Sequence, residues 1–337
     1  MVTMSDVARE AGVSMMTVSN VLTGRKRVGE PTRDRVLAAV ESLGYEVNLT
    51  ARHLRAGRTD TVALIVPSFH DYFGEVADRI APLIEAGGRH LVLERTSADA
   101  RSEMESLSVP RLQMYDGVFL SVAGLHRDEI ARVPSSAPIV LLGEREMPAR
   151  FDHVRLDNTE GGRLATAHLL EGGARRVLAL GASTESSVGM ESDRRAGWAE
   201  AHREAGLVPD ESLVVPLPDF TPEAAHATVG RVLDDGVPFD GIFAVNDTVA
   251  FGALAALAEH GVRVPDDVQL AGFDNLDLSR FVPPGITSVD PRYDVVAATA
   301  VRLLEQRMAG SDAPREHVTT PVRLVARGST RGSTGRA

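Results

Sequence analysis

From Thr61 to Asp274 the chain repeats one pattern: a short unbroken apolar run, then a longer amphipathic stretch that usually ends in glycine. The runs are TVALIVPS, HLVLERT, GVFLSV, PIVLLG, RVLALGA, GIFAVN and VQLAGFD. Between them lie FGEVADRIAPLIEAGG, GGRLATAHLLEGG, RRAGWAEAHREAG, TPEAAHATVGRVLDDG and DTVAFGALAALAEHG. Strands that are apolar throughout, rather than on alternate residues, belong in parallel sheets covered on both faces by helices. The closing glycines suit helix stops. The series is too long for one ordinary sheet, so the pattern predicts an α/β body of two doubly wound parallel-sheet subdomains. In open α/β sheets ligands bind at the carboxyl ends of the strands. That makes Ser68 to Phe73, Gly143-Glu144-Arg145, Asn246-Asp247 and Asp274-Asn275 candidate ligand contacts. Asp247 is equally well read as the cap of the helix that follows it. Trp198 reads as core, and His90 as a strand-edge residue.

The first residues differ in kind. Thr3-Met4-Ser5-Asp6 has the spacing of a capping box, and a helix to about Ala11 puts Val7, Ala8 and Ala11 on one face. Gly12 supplies a turn. Ser14 then caps a helix from Met15 to Leu22, with Val18, Val21 and Leu22 inward. A third helix from Pro31 to Leu43 carries the stripe Val36, Leu37, Val40 and Leu43, and Gly44 stops it. Two short helices joined by a glycine turn form a helix-turn-helix signature, so the head is expected to be all-α. In such a unit the second helix enters the major groove N-terminus first. Its outward residues are Met15, Met16, Thr17, Ser19 and Asn20. Asn can pair with an adenine edge, and a Met side chain can pack on a thymine methyl. Thr17, Ser19 and the run Arg25-Lys26-Arg27 suit phosphates.

Charge supports that division. The chain carries a formal net charge of −11. Residues 1–58 nevertheless hold nine Arg or Lys against six Asp or Glu, a surplus of +3, which leaves −14 for the rest. The head can meet a polyanion that the body repels. There is no Cys among the 337 residues, hence no disulfide, thiolate metal site or Cys nucleophile. No apolar run approaches the ~18 residues of a membrane span, and the first residues lack a signal-peptide core. The expectation is a cytoplasmic protein without a membrane partner. Phosphate-loop, zinc-protease and nucleophile-elbow motifs are missing, and the ten His show no metal spacing. The residues therefore point to no catalytic group, metal or cofactor.

The stretch SDVAREAGVSMMTVSNVL, continued by TRDRVLAAVESLGYEVNLTARHLRAGRT, resembles the DNA-binding head of the lactose-repressor/galactose-repressor (LacI/GalR) family. The resemblance runs over nearly the whole chain. It implies a periplasmic-binding-protein-like body and a ligand-controlled regulator, most often a repressor, that binds a near-palindromic duplex operator as a homodimer. Met15, Met16 and Asn20 take the three base-reading places. The third is often Arg in the family, and Asn20 departs from that. Ser14, Thr17, Ser19, Arg25 and Arg27 join them as DNA contacts. Residues 48–55 resemble the hinge helix, with Asn48 and Arg52 on DNA and Leu54 as the minor-groove wedge. An apolar wedge unstacks a base step and kinks the duplex. Alone, Leu54 would be read as core; its place between Arg52 and Arg55 favours the wedge.

In the body, SDRRAGW, AVNDTVAFGAL and AGFDNLDLSRFVPPGITSV resemble family signatures that place Arg194, Asn246 and Asp274 in a cleft. Phe220 matches a ligand-stacking aromatic position, and Phe73 and Ser68 lie at the end of the first strand. Gly143 stands where many relatives carry a ligand-binding Asp; either Glu144 replaces it or the contact is absent. The implied effector is a small molecule, foremost a sugar or sugar derivative. The implied domains are a head at 1–46, a hinge at 47–60 and a body at 61–330. Its N-subdomain comprises 61–158 plus 291–319, and its C-subdomain 159–290 plus 320–330. A Gly/Ser/Arg tail, ARGSTRGSTGRA, ends in a disordered segment, 331–337. Two other readings are a sugar-binding receptor without DNA function and a sugar-modifying enzyme on a related fold. The basic head argues against the first, and the lack of a catalytic motif against the second.

Overall fold

The computed structural model describes residues 2–23, 26–45, 58–133, 137–144, 147–183 and 189–331. The chain divides into two compact units, Met1–Thr59 and Asp60–Ala337. The first contains α1 (Met4–Glu10), α2 (Met15–Thr23) and α3 (Glu30–Leu43). The Thr3 hydroxyl accepts from Asp6 N–H, and the Asp6 carboxylate accepts from Thr3 N–H, which completes the capping box. Val7, Ala8, Ala11, Val18, Val36, Ala39 and Tyr45 form the core of this unit, with Val21, Leu22, Val40 and Leu43 packed against them. Leu37 departs from the expected stripe: it is 43% exposed, and Ala39 is buried instead. Positions 36, 39/40 and 43 follow the helical repeat, whereas 37 lies about 100° round the helix. Gly44 closes α3 in the left-handed region, at φ 60°.

The second unit begins with β1 (Thr61–Val66), α4 (Asp71–Ala86), β2 (His90–Arg95), α5 (Ala100–Ser106), α6 (Val109–Leu112), β3 (Gly117–Ser121), α7 (Arg127–Ile130), β4 (Ile139–Leu142) and β5 (Asp152–Leu156). It continues through α8 (Asn158–Glu171), β6 (Val177–Leu180), α9 (Met190–Glu204), β7 (Val214–Val215), α10 (Pro222–Asp234), β8 (Gly241–Ala244), α11 (Asp247–Glu259), β9 (Gln269–Phe273) and β10 (Thr287–Asp290). It ends with α12 (Tyr293–Met308), β11 (His317–Thr320) and β12 (Arg323–Val325). Two six-stranded sheets result, ordered β11-β5-β4-β3-β1-β2 and β12-β10-β9-β8-β6-β7. Among the described residues every strand pairing is parallel except β10 with β12. The chain passes from the first sheet to the second after β5, returns after β10 through α12, and crosses again between β11 and β12. α8 packs on the second sheet and α12 on the first.

The central strands β1, β3, β4, β6, β8 and β9 are almost wholly buried, as unbroken apolar runs require. β2 is the exception. Its run HLVLER looked like a covered strand, yet Val92 and Leu93 are 38% and 42% exposed. The reason is its place at the sheet edge. β5 escapes the apolar-run pattern because its sequence, DHVRL, carries two charged residues. Asp152 at its start is 0% exposed and accepts two hydrogen bonds from Arg307, at 2.6 and 2.9 Å, and one from Glu316 N–H at 2.8 Å. Arg307 also donates to the carbonyls of Ser311, Ala313 and Pro314. This buried pair is fully satisfied and ties the end of α12 to the first sheet.

The C-terminal tail is not as expected where it is described. The Ser329 hydroxyl donates to Leu270 O at 2.6 Å and accepts from Thr287 N–H at 2.8 Å, and Ser329 is 0% exposed. Arg331 N–H donates to Gln269 Oε1 at 2.7 Å. Gly/Ser/Arg composition suggested an unattached tail, but the Ser329 side chain satisfies backbone groups of the second sheet, and the Arg331 backbone satisfies the Gln269 side chain. Residues 332–337 lie outside the described residues. No described helix is long and apolar enough to cross a membrane.

Candidate functional site: a DNA-reading helix and an interlobe cleft

In the head, Ser14 caps α2: its hydroxyl accepts from Thr17 N–H at 3.1 Å and pairs with the Thr17 hydroxyl at 2.9 Å. Val18 is buried, so the opposite face must look outward. Met15 and Met16 are 54% and 72% exposed. Two adjacent Met at a helix start have no packing reason to face solvent. Ser19 and Asn20 follow half-buried, and Arg27 is exposed. Arg25, Asn48, Arg52 and Leu54 lie outside the described residues.

In the body, a cavity of about 890 Å3 opens between the carboxyl ends of the two sheets. Ser68, Phe73 and Glu144 line it from the first lobe, and Arg194, Phe220, Asn246 and Asp274 from the second. Arg145 lies outside the described residues. Arg194 reaches the cavity because α8 and α9 cross at close range. A Cβ on Gly162 would collide with the Arg194 backbone, and one on Gly197 with the Thr159 carbonyl. The glycines of EGGRLA and RRAGW thus set the position of the guanidinium. Arg194 is 4% exposed. Its Nε donates to Asn158 Oδ1 at 2.8 Å and another N–H to the Val245 carbonyl. The guanidinium lies 3.5 Å from the centre of the Phe273 ring.

Asp274 faces it without a hydrogen bond, its Oδ1 3.8 Å from the Arg194 Nη2. That Oδ1 is buried and has no partner, as are Glu144 Oε2 and Asn158 Nδ2. Buried polar atoms are normally paired, and of these three Asp274 and Glu144 line the cavity, where a ligand can reach them. Burial raises the Asp274 carboxyl to about 6, against the pull of Arg194. Burial likewise raises Glu144 to about 7, with Arg194 and the Leu156 N–H opposing it. Glu144 also accepts from Leu156 N–H, at 3.4 Å.

The backbone of Asp274 is held at φ 96° and that of Asn275 at φ 50°, which L-residues rarely adopt. Asp247 explains how. Its carboxylate accepts from Leu276 N–H at 2.8 Å and from the Ser279 and Ser288 hydroxyls at 2.6 Å each. The Ser288 hydroxyl in turn accepts from Asn275 N–H at 2.9 Å. Tyr293 OH donates to the Asp274 carbonyl at 2.9 Å. Asp247 is therefore neither a cavity residue nor the helix cap. Asn246 caps α11, accepting from Val249 N–H at 2.8 Å, and offers a ligand its amide N–H2. Trp198 is core, with Nε1 donating to the Val177 carbonyl at 2.9 Å. The sequence reading passed over Ser121, His126, Met147 and Glu191, which also line the cavity. Ser121 and His126 were within reach of the rule that produced the others, since they end and follow the apolar run GVFLSV.

Residues 3–48 match the family model described as bacterial regulatory proteins, lacI family, and residues 166–330 match a periplasmic binding protein-like domain. The regulator AscG of Escherichia coli K12 is 33% identical over 320 residues, covering 93% of this chain and 94% of its own. This chain belongs to the LacI family. Its members share the arrangement found here, a helix-turn-helix head and a two-lobed α/β body, and this LacI-family chain is a DNA-binding transcriptional regulator. Two solved structures are also close. A LacI-family regulator from Sanguibacter keddieii is 37% identical with a TM-score of 0.76, covering 82% of this chain and all of its own. A structure of the regulator CelR in complex with cellobiose is 29% identical with a TM-score of 0.72, covering 98% of this chain and all of its own.

Proposed function

We propose that this LacI-family chain is a repressor whose affinity for a near-palindromic operator is set by a sugar bound in the cleft. The observation that carries the reading is the set of unpaired, buried polar atoms around Arg194. Asp274 Oδ1 and Glu144 Oε2 accept from ligand hydroxyls, the Asn246 amide and Arg194 donate to them, and Phe73 and Phe220 cover apolar faces of the ligand. The cellobiose complex of CelR supports a carbohydrate over other small molecules. Glu144 takes the part of the Asp that Gly143 lacks. Met15, Met16 and Asn20 read base edges, and Ser14, Thr17, Ser19, Arg25, Arg27, Asn48 and Arg52 position the head, with Leu54 as the wedge. The protein works in the cytoplasm as a homodimer and catalyses no reaction.

Ligand contacts come from both lobes, so occupancy favours one angle between them. Only a difference in ligand affinity between the DNA-competent and incompetent states can shift operator binding. The test starts from an operator selected out of random duplexes by the full-length protein. Fluorescence anisotropy then follows operator binding with and without each of a panel of sugars, nucleobases and amino acids. A sugar that changes operator affinity, through a response lost in Arg194→Ala and Asp274→Ala, supports the reading. A response to a nucleobase alone overturns the sugar, and a sugar response retained in both variants overturns the cleft.

A further inference from the structure

We propose that the cleft takes a linear ligand of at least two linked sugar rings. The first sits at the Arg194–Asp274 end, and the second lies along a shelf walled by Ala98, Ala123 and Ser183. The proposal rests on reading the cleft as a carbohydrate site and names the size class that it selects.

The sheet order fixes how far the cavity reaches. Glu144 follows β4 and Ala98 follows β2, and β3 and β1 lie between those strands. Three strand spacings at about 4.8 Å each separate the two walls by roughly 14 Å. The opposite lobe repeats the distance. Asp274 follows β9 and Phe220 follows β7, again three spacings apart. A single ring with its hydroxyls cannot touch both ends of a slot of that length. The cavity volume of about 890 Å3 agrees, since it lies near the upper end of the range for drug-sized ligands.

The two ends also differ in chemistry. The near end holds the charged, buried groups Arg194, Asp274 and Glu144, which suit a ring whose hydroxyls are taken out of water. The far end is built from small side chains, Ala98, Ala123 and Ser183, which keep it open, and the loop after β3 reaches it where Gly124 packs on the Ala98 and Ala100 backbone. Val122 and Leu125 give that end an apolar wall, while His126 brings a polar group to it. An apolar floor with a polar rim fits a second ring that lies flat, one face covered and its edge hydroxyls at the mouth.

Calorimetry on the full-length protein tests this with glucose, galactose and ribose against cellobiose, maltose, lactose, melibiose and trehalose. At least one disaccharide is expected to bind ten-fold or more tightly than either of its component rings. Ala123→Trp fills the shelf from a half-buried position, and it should lower the ratio of disaccharide to monosaccharide affinity at least ten-fold. Val208→Trp, which adds the same side chain at a 90% exposed position outside the cavity, should leave that ratio near the wild-type value. A monosaccharide that binds as tightly as every disaccharide, with binding lost in Arg194→Ala, leaves the cleft reading intact and overturns the two-ring proposal. A disaccharide affinity that Ala123→Trp does not change, in a variant with wild-type melting behaviour, overturns it as well. Sugar binding indifferent to Arg194→Ala instead overturns the cleft reading on which it rests.

Discussion

Arg194→Ala removes a guanidinium that is engaged before any ligand arrives. Two of its N–H groups are bonded, to Asn158 Oδ1 at 2.8 Å and to the Val245 carbonyl, and its face covers Phe273. The substitution leaves a carbonyl and an amide oxygen unpaired, and takes the nearest cation from Asp274 and Glu144. A hydrogen bond to a charged group contributes about 1.5–3 kcal/mol. Breaking a buried pair from one side costs about 3–5 kcal/mol. The terms overlap, and water entering from the cleft recovers part of the loss, so about 3–4 kcal/mol is the expected destabilisation. Ligand response and stability should therefore fall together. Trp198, the chain's one tryptophan, lies one helical turn along α9 and is 0% exposed. Its fluorescence during urea unfolding reports on the second lobe. The expected result is a lower midpoint at unchanged slope. Arg194→Lys, which keeps the charge without the planar fork, should lose less stability and still fail to respond to ligand. A midpoint for Arg194→Ala within about 0.5 kcal/mol of wild type would refute this account of how the guanidinium is held.

Other outcomes follow from the same geometry. Glu144, raised to about 7 by burial, destabilises the fold once ionised, and the penalty vanishes below its unfolded value of 4.5. Glu144→Gln should therefore stabilise the body at pH 8 by about 1–3 kcal/mol and change nothing at pH 4, as read from urea midpoints across that range. Asp152 behaves in the opposite sense. Burial alone would raise its pKa, but hydrogen bonds from Arg307 and Glu316 outweigh that and hold it below the usual carboxylate value. Its contribution is present near neutrality and is lost as pH falls below the ordinary carboxylate range. Arg307→Ala, which strands the buried carboxylate, should cost about 3–5 kcal/mol at pH 7 by urea unfolding. Asp247→Ala should release the Asp274–Leu276 turn and weaken sugar binding at least several-fold in calorimetry, with Trp198 still buried. In the head, Asn20→Ala should cost about 1–3 kcal/mol at one operator position and leave binding to random duplex unchanged in anisotropy titrations.

The local and periodic features were fixed by the residues alone. Thr3 with Asp6, Ser14 before Met15, and Gly44 after Leu43 specify helix ends through hydrogen bonds that span three or four residues. Unbroken apolar runs specify buried parallel strands, and the carboxyl ends of those strands specify where a cleft lies. Those ends gave Ser68, Phe73, Glu144, Asn246 and Asp274, the family resemblance added Arg194 and Phe220, and the fold lines the cavity with all seven, though not with Asp247 or Asn275. Asp247 shows what such patterns omit. Its position beside Asn246 suggested a cap or a ligand contact. Its partners Leu276, Ser279 and Ser288 are 29 to 41 residues away in sequence and meet it only once β8, β9 and β10 pair. The same holds for Arg307 with Asp152, 155 residues apart, and for Ser329 beneath β9 and β10. β2 carries an apolar run that the sheet order leaves at an edge. Hydrophobic period and capping are short-range properties and are legible along the chain. Which polar atoms are paired, and which are left open in a buried cleft, depends on desolvation by distant segments, and only the folded topology brings those together.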